Sequence, residues 1–197
     1  MGDPWLIAGL GNPGDQYAKT RHNVGAMVVG RLCSRFEVSL KKVRFVAATA
    51  ADARADDTPV VLAAATTYMN ESGPPLASLA RKRDVAPDRI VAVHDELDLP
   101  FGALRCKFGG STAGHHGLDS LASGLRTPGF FRVRVGIGRP PGRQDPVDFV
   151  LSPFGAGERD ELDVLVEDAA DAALAIVTEG LEAAQARFNR GGPPSRD

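Results

Sequence analysis

The apolar run Trp5-Leu6-Ile7-Ala8 stops at Gly9-Leu10-Gly11-Asn12-Pro13-Gly14, and a buried strand that feeds into three glycines and a proline must turn sharply there. A second apolar run, Ile90-Val91-Ala92-Val93, reads as a buried strand ending just before His94-Asp95. Between them, Val24, Met27, Val28, Leu32 and Phe36 fall at helical spacing and predict a helix over 24–36. Strands that alternate with helices predict an α/β fold, a single domain with a mixed, largely buried β-sheet flanked by helices. Further strands are expected at 45–47, 60–62, 104–108 and 132–137, where Val133, Val135 and Ile137 alternate with Arg132, Arg134 and Gly136. A helix over 76–82 follows Gly73-Pro74-Pro75. Near the C-terminus, Leu162, Leu165, Val166, Ala169, Ala173, Ile176 and Val177 form one apolar stripe, with Glu158, Asp160, Glu161 and Asp163 at the positive end of that helix. Gly180 suits its stop, and 181–188 predicts another short helix.

With 197 residues and 43% hydrophobic content, the chain can bury one full core. No repeat or linker divides it, so residues 1–190 read as one catalytic domain and 191–197, rich in glycine and proline, as a mobile tail. The longest purely apolar run, 60–65, is far short of the ~18 residues of a membrane span. Neither a signal-peptide nor a myristoylation pattern is visible, and Cys33 and Cys106 read as free thiols, so a cytoplasmic protein with no membrane contact is expected. The net charge of −2 hides an asymmetry: +4 over residues 1–150 and −6 over 151–197. Basic clusters at Lys41-Lys42-Arg44, Arg81-Lys82-Arg83, Arg105-Lys107 and Arg132-Arg134-Arg139-Arg143 are ordinary solvated surface taken singly. Together they leave room for a phosphate-binding face.

Two motifs mislead. The first glycine turn matches G-x-G-x-x-G, yet Glu37, the acid a dinucleotide site would use, follows a helix rather than a second strand. Pro13 also removes an N–H donor from that turn. Gly109-Gly110-Ser111-Thr112-Ala113 nearly matches a nucleophile elbow, but no histidine follows His116 to complete the chain order of a hydrolase triad. Adjacent His115 and His116, without paired cysteines or H-x-x-x-H spacing, give no metal-ligand pattern, so neither metal nor cofactor is expected.

His22 and Asp95 remain. A neutral imidazole takes a proton from water near neutral pH, and a carboxylate on its other nitrogen fixes the tautomer. Side-chain amides such as Asn12 and Asn70 can donate to a developing oxyanion. Each residue alone has an ordinary structural reading: a satisfied histidine, a turn asparagine, a helix cap, an aspartate bonded to local backbone.

The ordered set of motifs resembles the bacterial peptidyl-tRNA hydrolase family. The matching segments are Gly9 to Gly14, Tyr17 with Thr20-Arg21-His22-Asn23-Val24-Gly25, Thr67-Tyr68-Met69-Asn70-Glu71-Ser72-Gly73, His94-Asp95-Glu96-Leu97-Asp98-Leu99-Pro100, Gly114-His115-His116-Gly117-Leu118 and Arg132-Val133-Arg134-Val135-Gly136-Ile137-Gly138. The resemblance implies hydrolysis of the ester between peptide and tRNA, with peptidyl-tRNA held by its acceptor end and phosphate backbone, and usually a monomer. It implies His22 as the proton acceptor and Asp95 as its stabilising partner. Asn12 is implied to distinguish N-blocked from free aminoacyl-tRNA, Tyr17, Tyr68 and Asn70 to contact substrate, and Lys107 and Arg134 to contact tRNA phosphates. One position departs from the pattern: His116 stands where the family usually has a substrate- or water-contacting asparagine. That departure alone favours the alternative, a weakly active or inactive RNA-binding relative.

Overall fold

The computed structural model describes residues 2–189; the tail expected at 191–197 lies outside them. Seven strands form one mixed sheet: β1 (Trp5–Gly9), β2 (Lys41–Lys42), β3 (Ala48–Ala55), β4 (Thr58–Ala65), β5 (Ile90–Glu96), β6 (Leu104–Phe108) and β7 (Phe131–Gly136), in the order β2-β3-β4-β1-β5-β7-β6. The centre is parallel, β1 lying between β4 and β5 with β7 beyond. Both edges are antiparallel. Strands buried on both sides explain the unbroken apolar runs of β1, β4 and β5.

Helices cover both faces. Val28 and Leu32 of α1 (Val24–Arg35), Leu165 and Ile176 of α5 (Arg159–Thr178) and Ala184 of α6 (Leu181–Phe188) pack with Ile7, Leu62, Val91 and Val133 on one side. On the other, Leu76 and Leu79 of α2 (Gly73–Lys82) and Leu118 and Leu121 of α3 (His116–Leu125) pack with Leu6, Ala8, Ile90 and Ala92. A short helix, α4 (Pro146–Val150), starts at Pro146 with Asp145 accepting from the Val147 N–H at 2.7 Å. The surplus acid of the C-terminal third is spent locally: Asp163, Glu167 and Asp171 of α5 pair with Arg31 and Arg35 of α1. Among the described residues no helix is long and apolar enough to cross a membrane.

Several boundaries differ from expectation. Residues 45–47 are no strand: Phe45 sits at φ 63 and is 87% exposed, at the tip of the hairpin joining β2 to β3. Its aromatic and β-branched neighbours mimic a strand, but a left-handed residue cannot continue one. β5 does not end before His94-Asp95 but runs through Glu96, because its C-terminal half still pairs with β7. α2 begins at Gly73, three residues earlier than the apolar spacing suggests, with prolines in its first turn, where their missing N–H costs nothing. α3 was not foreseen at all.

The chain leaves β1 through α1 and reaches β4 on one side of it by way of β2 and β3, then crosses through α2 from β4 to β5 on the other side, so a crevice opens at the C-terminal ends of these strands. Gly25 lets α1 sit directly against that edge: a Cβ there would lie 2.1 Å from the Val93 carbonyl oxygen. Backbone cannot yield as a flexible side chain would. Gly25→Ala is therefore expected to destabilise the protein by about 2–3 kcal/mol. Gly30→Ala in the same helix, with nothing within 4 Å, should be neutral or stabilising by up to ~1 kcal/mol. Urea unfolding of the two variants measures the contrast.

Candidate active site

Asp95 leaves the C-terminal end of β5 with its side chain only 3% exposed. A carboxylate in that position needs donors, and it has two: His22 Nδ1 at 2.9 Å from Oδ2 and His115 Nε2 at 2.8 Å from Oδ1. Burial alone would raise its pKa, but the His115 imidazole and the hydrogen bonds from both rings outweigh this and hold Asp95 well below the usual carboxylate range. A group so depressed contributes stability above the ordinary carboxylate pKa, and loses it only as pH falls far into acid.

His22 lies in a 3-10 turn, Arg21–Asn23, that leads into α1. Both of its neighbours fasten that turn. Arg21 donates to both carboxylate oxygens of Glu158, at 3.0 and 2.7 Å, while its guanidinium lies over Phe149 and Phe154. Asn23 accepts from the Asn12 N–H at 2.9 Å and donates to the Asn12 carbonyl at 2.8 Å. The imidazole is thus set against Asp95 with Nδ1 as the donor, which leaves Nε2 without a proton.

The second imidazole on Asp95 is the functional candidate that sequence reasoning passed over. His115 caps α3: its Nδ1 accepts from the Gly117 and Leu118 N–H groups at 3.1 and 3.3 Å, so its proton is on Nε2 and points at Asp95. Burial lowers the pKa of this ring and the Asp95 charge raises it, with a net upward pull. A proton on Nδ1 would face two N–H donors, so the neutral Nε2–H form is the one this geometry holds. The loop before α3 is fixed from the sheet, because the buried Arg132 donates to the carbonyls of Ser111 and Gly110 at 2.6 and 2.9 Å. His94 completes the group: buried, it donates from Nδ1 to the Asp95 carbonyl at 2.7 Å, and burial first, then His115, push its pKa well down. All four histidines of the chain meet here. A cap and its neighbour, read as a bare His-His pair, gave no metal spacing, and only the start of an unforeseen helix would have exposed the role of His115.

These groups open onto a groove of about 850 Å³. Asn12, Asn70, His22, Asp95, His115 and His116 line it, facing Val147, Val150 and Leu151 of the α4 region. Asn12 is oriented, because its Oδ1 accepts from the Met69 N–H at 2.7 Å and its NH2 group is the part left to donate. Asn70 and His116 are exposed along the lining. Tyr17 and Tyr68 do not line it; they meet each other edge to face at 6.3 Å. Lys107 and Arg134 also lie outside it, on the β6–β7 face that carries Arg105 and Arg132. Arg134 donates to Glu96 at 3.1 Å. The G-x-G-x-x-G turn serves the groove rather than a phosphate. Among its glycines only Gly14 has positive φ, while a Cβ on Gly9 would strike the Gly25 carbonyl at 2.3 Å.

His22, Asp95 and His115 place three ligand atoms within 4.8 Å of one another. Both ring nitrogens already donate to the carboxylate, so a metal there would have to displace two protons and break the array that orients His22. Neither thiol offers a nucleophile, since burial raises Cys33 and pushes Cys106 up to about 12. The geometry suits a general base acting on water.

Comparison with known proteins agrees. The sequence profile of the family described as Peptidyl-tRNA hydrolase matches residues 6–196. The chain is 52% identical over 195 residues to the peptidyl-tRNA hydrolase of Kineococcus radiotolerans, covering 96% of this chain and 98% of the relative. It is 50% identical to that of Mycolicibacterium smegmatis, over 94% of this chain and 97% of the relative. The crystal structure of peptidyl-tRNA hydrolase from Acinetobacter baumannii superposes with a TM-score of 0.89 at 32% identity, covering 98% of both chains. With a profile match over residues 6–196, half its residues shared with relatives covered almost end to end and the same fold, this chain belongs to the peptidyl-tRNA hydrolase family.

Proposed function

We propose that this chain hydrolyses the ester between peptide and tRNA in peptidyl-tRNA, as one catalytic domain that works as a monomer, with His22 as general base. The observation that carries the assignment of the base is the 2.9 Å contact between His22 Nδ1 and the buried Asp95 carboxylate at the floor of the groove. In this reading His22 Nε2 takes a proton from water as the oxygen attacks the ester carbonyl. The Asn12 and Asn70 amides donate to the oxyanion, and collapse expels the tRNA 3′ oxygen, which recovers the proton from His22. The products are a peptide acid and tRNA with a free 3′ hydroxyl. The ester is already activated, so positioned water and a base suffice.

The fixed orientation of Asn12 supports discrimination as well. Its donor face suits the carbonyl of an N-blocked residue and meets a free α-ammonium, itself only a donor, without an acceptor to offer. Tyr17 and Tyr68 are assigned to substrate contact at the rim, and Lys107 and Arg134 to the phosphates of the acceptor end.

His22→Ala is expected to lower kcat on N-acetylaminoacyl-tRNA by about 10²- to 10⁴-fold while tRNA affinity is held, and chelator should leave the wild-type rate alone. Rate loss on chelation, or full activity in the variant, would reject the assignment. His115→Ala should lower kcat by about 10-fold or more with KM little changed, and an unaltered kcat would show that His22 alone suffices to hold Asp95. For His116, the bulkier ring predicts reduced or pH-sensitive activity. The measurement is the pH–rate profile of His116→Asn, and an unchanged rate and profile would discard the idea.

A further inference from the structure

Away from the groove, a basic recess of about 790 Å³ lies between the β2–β3 hairpin and the C-terminal end of α2. Lys41, Lys42, Arg44, Lys82 and Arg83 line it against two acids, Glu37 and Asp52. Asp52 is taken by Arg83 at 3.1 Å, and Lys82 is held over the hairpin by the Arg44 carbonyl at 2.8 Å. Among the described residues Lys41 and Lys42 have no ion pair, and both are exposed. The recess therefore keeps net positive charge. On the β6–β7 face, by contrast, Arg132 is engaged by the 110–111 carbonyls and Arg134 by Glu96.

Phe45 stands at the lip, 87% exposed and held at φ 63, with the Arg44 guanidinium 4.5 Å from its ring centroid. A bare aromatic face beside lysines is the combination that binds single-stranded nucleic acid, the ring stacking a base and the cations following the phosphates. The position fits the substrate. Phe45 shares a second depression with Pro74, Pro75 and Asn70, and Asn70 also lines the catalytic groove. Asn70 thus borders both the groove and the depression at Phe45, and Arg44, next to Phe45 in the chain, lines the recess.

We infer that the hairpin tip is a second RNA-binding surface, with Phe45 stacking an unpaired base of the tRNA and Lys41, Lys42 and Arg44 taking the adjoining phosphates. The inference rests on the reading of this chain as a peptidyl-tRNA hydrolase, and a direct binding titration separates the two. An acidic protein would match the charge but has less use for a bare ring face.

The test compares the full chain with Phe45→Ala, Phe45→Trp and the double variant Lys41→Gln/Lys42→Gln, each checked for an unchanged thermal melt. Substrates are N-acetylaminoacyl-tRNA and the same acyl ester on adenosine alone. Phe45→Ala should raise KM for the tRNA ester about 5- to 20-fold, and Phe45→Trp should restore it. In both, kcat and turnover of the adenosine ester should hold. For the double lysine variant, the slope of log Kd for deacylated tRNA against log salt should fall by about 1–2. Unchanged KM, tRNA affinity and salt slope in the folded variants would overturn the inference and leave the patch to a partner other than RNA. Because binding is read without turnover, an inactive wild type would strike the hydrolase reading while the titration still decided this one.

Discussion

A carboxylate 3% exposed to water keeps its charge only if protein donors replace the hydration it has lost. Asp95 has two such donors, and each comes from the start of a helix: His22 from the turn before α1 and His115 from the cap of α3. The dependence runs both ways. Without the carboxylate, His22 has no reason to carry its proton on Nδ1, and His115 has no acceptor for the hydrogen that its own cap forces onto Nε2. The strand ends, the two helix starts and the loop pinned by Arg132 are therefore one construction around a single negative charge.

The distribution of charge follows the same economy. The acidic C-terminal third pairs with arginines of α1, and Glu158 of the same segment clamps Arg21 beside the catalytic turn. That arrangement offsets the acids of α5 with the arginines of α1, so they add little to the field met by a phosphate backbone approaching the groove. An overall charge of −2 is then compatible with RNA as a substrate, because the field that matters is local.

How much was legible in the sequence depended on whether local pattern and tertiary role coincided. β1, β5 and α1 are apolar runs of clear period, and the glycines after β1 mark a turn beside the polar side chains of the groove. His22, Asp95, Asn12 and Asn70, singled out from the sequence, line one groove. β3, ATAADARA, was missed because small alanines carry little hydrophobic signal although four of its positions are buried. Phe45-Val46-Ala47 was taken for a strand because composition cannot report a positive φ. Arg132 looked like surface charge, and nothing local to Arg21 marked it as buried. Their burial became visible only with the carbonyls and the carboxylate that satisfy them, which come from segments 21 and 137 residues away.

His94 shows why burial beside the reaction centre had to be neutral. Its Nδ1 hydrogen goes to the Asp95 backbone and its Nε2 has no partner among the described residues, an arrangement that costs about 1–3 kcal/mol for the orphaned nitrogen. Charging that nitrogen would place a cation near the buried Arg132 and against the His115 ring, at 4.9 Å between ring centroids. It would compete with His22 for the field of one carboxylate. Holding His94 neutral leaves Asp95 to the two rings whose protons point at it, so His22, the base proposed above, lines the groove with a carboxylate behind it that no third imidazole draws on.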